Sequence, residues 1–468
     1  MATPTYLGDM NTKEKLTGFK VSRFNVRTED KHGNLLLYNT YSNSFVSVPS
    51  EEKDAVIGIL RNPESALTET SLFRFLKKKG FIIDKSTNEF RKSEMRHHQT
   101  IASEGRLSLT LMPNEDCNFR CKYCYESFAK NYMKESVQDG VISFIRKNIR
   151  KYNEVHIDWF GGEPLTAVPI IEKISREVIE ICTRNRVRFT AGMTTNGYNL
   201  SLDVFRKMQA CRVRSYQITL DGLEKHHDQS RVRADGGSTF RQIVDNLRTI
   251  RDEVKSSTFV MAIRTNVTKP VFDEIEDYFE FFQQEFGKDP RFYSHLHQTG
   301  NWGGDAVKSF QNSFCTSKDI ISALQMGSEM GISVSPLYDE QLADSVCYAA
   351  KRNNFVIGSD GIVYKCTVAF DDDYNHVGFL SEDGNMYLDE DKFSLWVSGH
   401  ESVDEGCQKC FFRPSCQGAS CPHIRMHTDK SSCPPVKTHI KDYLRIVAAQ
   451  SNRIEHMQEV IHEFEHQR

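Results

Sequence analysis

The alternation of hydrophobic and polar positions changes character three times along the 468-residue chain, and the changes mark out three regions and a tail. In residues 17–92, FKVSRFNV and LLLYNTYSNSFVSV are rich in β-branched and aromatic residues and read as strands. Ser42-Asn43-Ser44 supplies a turn that splits the second run into two strands. Two short helices are predicted next. One is capped by Ser50, with Glu51 and Glu52 in its positive first turn. The other covers Ser71–Lys79 and stops at Gly80, whose freedom to adopt positive φ suits a helix end. Three strands followed by helices predict a small winged-helix-like unit. The polar stretch Lys92–Gly105 reads as a linker.

From residue 106 to about 335 the pattern alternates between strand and helix. RLSLTLM, EVHIDWF, VRFTAGMT, RSYQITL, TFVMAIRTNV and RFYSHLH are strand-like, and amphipathic segments such as 134–150, 166–182 and 238–251 lie between them. Six strand–helix steps predict an α/β unit with a parallel sheet, whose ligand site belongs at the C-terminal ends of the strands. Residues 340–435 show little regular periodicity, so metal ligands would replace a hydrophobic core there. The tail, 436–468, reads as an amphipathic helix with a stripe of Ile440, Tyr443, Leu444, Val447, Ile454, Met457, Ile461 and Phe464.

Charge excludes several partners. Sixty basic against 63 acidic side chains leave a net charge of −3, which gives no attraction for nucleic acid or an anionic membrane. No apolar run approaches the roughly 20 residues of a membrane span, and the N-terminus lacks the apolar segment of a secretory signal. The expected location is the cytoplasm. Structural disulfides are rare in that compartment, so 13 cysteines point to metal or catalysis.

Their placement sharpens the point. Cys117, Cys121 and Cys124 follow directly on the first strand of the parallel region. Three thiolates on one short loop can hold three irons of a cubane cluster and leave the fourth open for a small molecule. A zinc knuckle is the alternative, but it needs a fourth Cys or His at finger spacing, and none follows at once. The second strand runs into Gly161-Gly162-Glu163-Pro164, where glycines allow close backbone approach and Glu163 can accept from an ammonium group. The third runs into Thr195-Asn196-Gly197. The fourth runs into Thr219-Leu220-Asp221-Gly222, with His227-Asp228 and Arg231 beyond. Such short elements are common in turns, and their order, one per strand, is what carries weight.

That order and the C-x3-C-x2-C spacing resemble the radical S-adenosylmethionine (SAM) superfamily. The resemblance implies a partial (β/α)6 barrel. It assigns Cys117, Cys121 and Cys124 to a catalytic [4Fe-4S] cluster. Gly161, Gly162, Glu163, Thr195, Asn196, Thr219, Asp221 and Arg231 fall to SAM, with Arg231 suited to its carboxylate. Tyr123 is a candidate for stacking on adenine, with simple packing the alternative. The reaction implied is reductive cleavage of SAM to a 5′-deoxyadenosyl radical that abstracts hydrogen from substrate.

The later cysteines, Cys347-x13-Gly-x4-Cys366, Cys407-x2-Cys410-x5-Cys416-x4-Cys421 and Cys433, resemble the seven-cysteine SPASM domain. That family has three residues, not four, between the fifth and sixth cysteines. By resemblance Cys407, Cys410, Cys416 and Cys433 ligate an outer [4Fe-4S] cluster. Cys347, Cys366 and Cys421 ligate an inner one, which gives three clusters in all. The inner site lacks a fourth ligand, because Gln341 stands where some relatives have cysteine, and Cys315 is a candidate. Cys182 and Cys211 read as small buried hydrophobes.

The N-terminal unit resembles the leader-peptide recognition element of ribosomal-peptide (RiPP) maturases. The expected substrate is therefore a precursor peptide with a leader, and the expected electron donor a flavodoxin or ferredoxin. The first expectation is a thioether-forming maturase of the ranthipeptide type. The runners-up are an anaerobic sulfatase-maturing enzyme and a maturase of sactipeptide or carbon–carbon linkages.

Overall fold

In the computed structural model the described residues are 18–66, 68, 70–102, 105–300, 313–398, 404–428, 431–450 and 455–456. The N-terminal unit contains β1 (Phe19–Val21), β2 (Asn25–Glu29), β3 (Leu35–Asn39), β4 (Ser44–Val48) and β5 (Ile82–Asp84). FKVSRFNV is not one strand. It breaks at Ser22–Phe24, so that β1 pairs antiparallel with β5 while β2 joins β3 and β4 in a meander. Asn43 takes φ 57° at the tip of the β3–β4 hairpin, in the expected turn.

The first helix, Lys53–Arg61, starts after Glu52 and not at Ser50; no side chain caps it, and Asp54 supplies the acidic group of its first turn. The second, Ser71–Lys78, is capped by the Thr70 hydroxyl, which accepts from Phe73 N, and Gly80 follows at φ +82°. Phe73, Phe75, Leu76, Phe81 and Ile82 join Leu35, Leu37, Val46 and Val48 in one small core.

The expected linker is a helix, Glu89–Ile101. Asn88 caps it, and Ser93, His97 and Ile101 are buried along one side. Its polar composition hid that face, because its partners are polar too. Arg413 Nε donates to Ser93 Oγ at 3.1 Å, and Gln417 contacts both His97 and Thr100.

The central sheet holds β6 (Arg106–Asn114), β8 (Glu154–Gly161), β9 (Arg188–Thr195), β10 (Val213–Thr219), β12 (Val260–Val267) and β13 (Phe292–Gln298) side by side, all parallel. This is the mostly parallel α/β sheet that the six strand–helix steps predict. Two short strands, β7 (Phe119–Cys121) and β11 (Arg231–Arg233), pair antiparallel above it, with Cys121 opposite Arg231.

The cysteine-rich region has more regular structure than its pattern suggests. β14 (Asn354–Ile357) pairs parallel with β6, and β15 (Ile362–Tyr364), β16 (His376–Leu380) and β17 (Met386–Leu388) extend the same sheet antiparallel. These strands are too short to show a period on their own, and the edge of β6 gives the first of them its partner.

The tail departs from a single helix. A helical run ends at Gln450 after Ile440–Gln450, burying Ile440, Tyr443, Leu444, Ile446 and Val447. β18 (Glu455–His456) then pairs parallel with β4. Ile454, Met457, Ile461 and Phe464 of the expected stripe lie outside the described residues. No described helix is long and apolar enough to cross a membrane.

Candidate functional site

The C-terminal ends of the parallel strands open into one cavity that is open to solvent on one side. Its wall includes Cys117, Cys121 and Cys124, with Tyr123, Gly161, Gly162, Glu163, Thr195, Asn196, Thr219 and Arg231. Every residue singled out for the first cluster and its ligand therefore lines this space except Asp221, which stands behind the wall.

The cysteine loop is held from two sides. Pairing of β7 with β11 fixes Cys121 beside Arg231. The Gly161–Gly162 turn lies directly under residues 114–116. Gly161 has φ +109°, and a Cβ on Gly162 would sit 2.4 Å from Asp116 O, so this approach admits only glycine. Gly162 N donates to Asn114 O at 3.1 Å and Glu163 N to Asp116 O at 3.2 Å.

Glu163 ties two loops together. Its carboxylate accepts from Leu165 N (2.9 Å), Thr195 Oγ1 (2.6 Å) and Asn196 N (2.7 Å) while buried at 1% exposure. Burial pushes its carboxyl above the usual range, and the three donors pull it back down. Asn196 Nδ2 donates to Asn118 Oδ1 at 2.7 Å, linking the same loop to the cysteine segment.

Asp221 positions two residues that do face the cavity. Its Oδ2 accepts from the Tyr123 hydroxyl, and its Oδ1 accepts from Asn266 N at 2.9 Å. The Tyr123 oxygen in turn accepts from Arg231 Nη1 at 2.7 Å and Asn266 Nδ2 at 3.1 Å. The Tyr123 ring is thus pinned through its hydroxyl as a fixed piece of wall. Arg231 keeps a buried Nε without a partner. Behind it, Asp221 N donates to His227 Nδ1 (3.1 Å), His227 Nε2 meets Thr239 Oγ1 (3.0 Å), and that hydroxyl donates to Arg231 O (2.7 Å). Burial, reinforced by Arg231, keeps His227 neutral, so Nδ1 accepts and Nε2 carries the proton.

The thiols are coupled to one another. Burial is the main reason that Cys117, Cys121 and Cys124 titrate above ordinary cysteine, Cys124 at about 12; Glu163 adds to it at Cys117 and Glu126 at Cys124, with a smaller contribution from Cys121 to both, while Arg231 opposes the rise. Three buried thiols that resist ionisation singly suit a site where a cation takes over the proton's place. The thiol trio, the Gly161–Gly162 approach and the unpartnered Arg231 Nε together fit an iron–sulfur cluster with an anionic, amino-acid-like ligand.

Several lining residues escaped the sequence reading. Tyr125, Glu126, Arg264, Asn266 and His297 all face the cavity. Arg264, Asn266 and His297 sit near the ends of β12 and β13, so the one-element-per-strand pattern that exposed the first four strands continues there without a familiar motif. Burial, with Glu115 and Glu163 nearby, lifts the Glu126 carboxyl to about 8.

Seven of the ten remaining cysteines fall into two groups. Cys407, Cys410, Cys416 and Cys433 line one small cavity with Arg425 and Lys437. Arg425 Nη2 lies 3.6 Å from Cys407 Sγ and Lys437 Nζ 3.0 Å from Cys433 Sγ, two cations against four thiols. Cys347, Cys366 and Cys421 are electrostatic neighbours, and burial raises Cys347 to about 12. The extra residue between Cys416 and Cys421 is absorbed at Gln417 and Gly418, at φ 52° and 74°. Cys315 does not join the inner group; Asp319, Asp273 and Lys269 surround its thiol, and it is buried in the core. Cys182 and Cys211 also lie in the core.

Residues 111–282 match the radical SAM superfamily. The chain is 24% identical over 228 residues to the radical SAM cyclopropyl synthase TigE of Paramaledivibacter caminithermalis, a match covering 44% of this chain and 46% of that one. It is 23% identical over 338 residues to the cysteine-type anaerobic sulfatase-maturating enzyme of Clostridium novyi, covering 66% of this chain and 87% of that one. The solved structure of native anSMEcpe with bound AdoMet and Kp18Cys peptide superposes with a TM-score of 0.59 at 18% identity, over 76% of this chain and 99% of that one, a likeness of fold.

Proposed function

We propose that this protein is a radical SAM peptide maturase that joins a cysteine sulfur of a precursor peptide to a carbon of another residue. The observation that carries the reading is the convergence of Cys117, Cys121 and Cys124 with Glu163, Thr195, Asn196 and Arg231 on one cavity at the strand ends. When bound, a [4Fe-4S] cluster and SAM supply one-electron cleavage of the sulfonium and hydrogen abstraction from an unactivated C–H bond.

The chain's own residues have separable parts in this. The three thiolates of Cys117, Cys121 and Cys124 would hold the cluster. Arg231, buried and held by Tyr123, pairs with the SAM carboxylate. Glu163, Thr195 and Asn196 fix the loops around its amino and ribose groups. Arg264 and His297, which line the same cavity, would meet the peptide in this reading. Closing a carbon–sulfur bond removes two hydrogens from the peptide and calls for a second electron acceptor. The two later cysteine groups would hold auxiliary [4Fe-4S] clusters, whose redox chemistry suits that acceptor. A flavodoxin or ferredoxin returns the electron that cleaves SAM.

Residues 17–92 serve as the leader-binding unit in this proposal. β2 ends its sheet and offers backbone groups for an added strand, while β18 of the chain itself covers the outer side of β4. A second reading, oxidation of a peptide cysteine to formylglycine, is favoured by the extent of the Clostridium novyi match. One experiment separates them. The reduced, reconstituted protein is incubated with SAM and a candidate precursor, a short cysteine-containing peptide sought in the reading frames next to its gene. Loss of two hydrogens with sulfur retained supports the cross-link. Loss of two hydrogens together with exchange of sulfur for oxygen supports the alternative. A peptide that returns unchanged while SAM is cleaved removes the peptide assignment.

A further inference from the structure

Outside these cavities, one cluster has no part in the chemistry above. Asp372, His423 and His427 bring a carboxylate oxygen and two imidazole nitrogens within 4.8 Å of one another. We propose that they form a third kind of metal site, a two-histidine, one-carboxylate site for a single zinc ion that ties together the segments bearing Cys366 and Cys421.

The geometry is built from three directions. His423 and His427 are four residues apart on the helix Pro422–Thr428, so their rings leave the same face. Asp372 comes from the loop that follows Cys366. Its Oδ1 is held by Tyr374 N at 3.0 Å, which leaves Oδ2 to face both rings, at 3.0 Å from His423 Nε2 and 2.5 Å from His427 Nε2. Trp396 stacks on His423 with ring centres 6.3 Å apart, and its Nε1 donates to Tyr374 O at 2.8 Å, so the same turn holds the carboxylate and the aromatic wall. Zinc bonds of about 2.0–2.1 Å in a tetrahedral site put donors roughly 3.4 Å apart. His427 therefore has to retreat by about 1 Å, and its side chain, 40% exposed, has room to do so. Imidazole and carboxylate donors without a thiol suit zinc, with water in the fourth position. The site is independent of the radical SAM reading, since no residue in it belongs to either cysteine group.

The test uses the full chain, reconstituted anaerobically so that iron fills the cysteine sites, then treated with a mild chelator and given Zn²⁺ alone. One zinc per chain is expected, lost in His423→Gln/His427→Gln with iron content unchanged. X-ray absorption at the zinc edge of the wild-type protein should show nitrogen and oxygen neighbours and no sulfur. This measurement needs no variant and decides the matter if the double variant fails to fold. Absence of zinc uptake, or sulfur neighbours around the bound zinc, overturns the proposal and leaves the cluster as two histidines sharing one carboxylate.

Discussion

Replacing Gly162 with alanine probes how the cysteine loop is held. The added Cβ would lie 2.4 Å from Asp116 O and 2.5 Å from Asp116 C. Both are backbone atoms, and ordinary contact begins near 3.4 Å, so residues 115–116 must recede by about 1 Å. Asp116 adjoins Cys117, and its side chain receives the Cys117 amide at 2.8 Å. The displacement thus passes directly to the first thiol. Overpacking of this kind costs about 1–3 kcal/mol, and a 1 Å misplacement at a reacting centre costs about 100-fold in rate. The expected result is a fall of about that size in 5′-deoxyadenosine formed from SAM under dithionite, followed by chromatography. The later cysteine groups should keep their iron. Gly58→Ala is the control. Gly58 lies inside the helix Lys53–Arg61 with no atom within 4 Å of a built Cβ, so alanine should stabilise by about 0.4–1 kcal/mol and leave SAM cleavage unchanged. A folded Gly162→Ala protein that cleaves SAM within about threefold of wild type would refute the argument that this backbone contact sets the position of Cys117.

Other outcomes are equally specific. Tyr123→Phe removes the hydroxyl shared by Asp221 and Arg231, leaving buried polar groups unpaired at a cost of about 1–3 kcal/mol; the KM for SAM should rise by about tenfold or more, and an unchanged value would dismiss the role given to this triad. Cys416→Ser should lower iron from about 12 to about 8 atoms per chain while SAM cleavage persists, since the outer group stands apart from the first cavity. His227 is held neutral by burial, so the unfolded chain binds its proton first; stability is fully present above the ordinary histidine pKa of about 6.5 and declines below it. Chemical denaturation of His227→Gln between pH 6.5 and 5 should show a pH slope shallower by up to about 1.4 kcal/mol per unit than wild type, and identical slopes would remove His227 from the account.

The sequence alone determined what depends on neighbours along the chain. Six strand–helix steps are visible because a half-buried strand or helix writes its period into successive residues, and short motifs at their ends marked the first cavity before any coordinates. The 4 + 3 grouping of the later cysteines was legible only through resemblance, since thiol spacing does not say which chain segments meet. Tertiary structure decided the rest. The helix Glu89–Ile101 reads as linker because its buried face is polar and finds partners more than 300 residues away. Cys315 is separated from the inner group by the fold, not by its distance along the chain. Asp221 acts through Tyr123 and Arg231, and Arg264 and His297 enter the cavity from strands with no motif. The tail turns from helix to strand because β4 offers it an edge. In each case the energy lies in contacts between distant segments, and a local pattern carries no record of them.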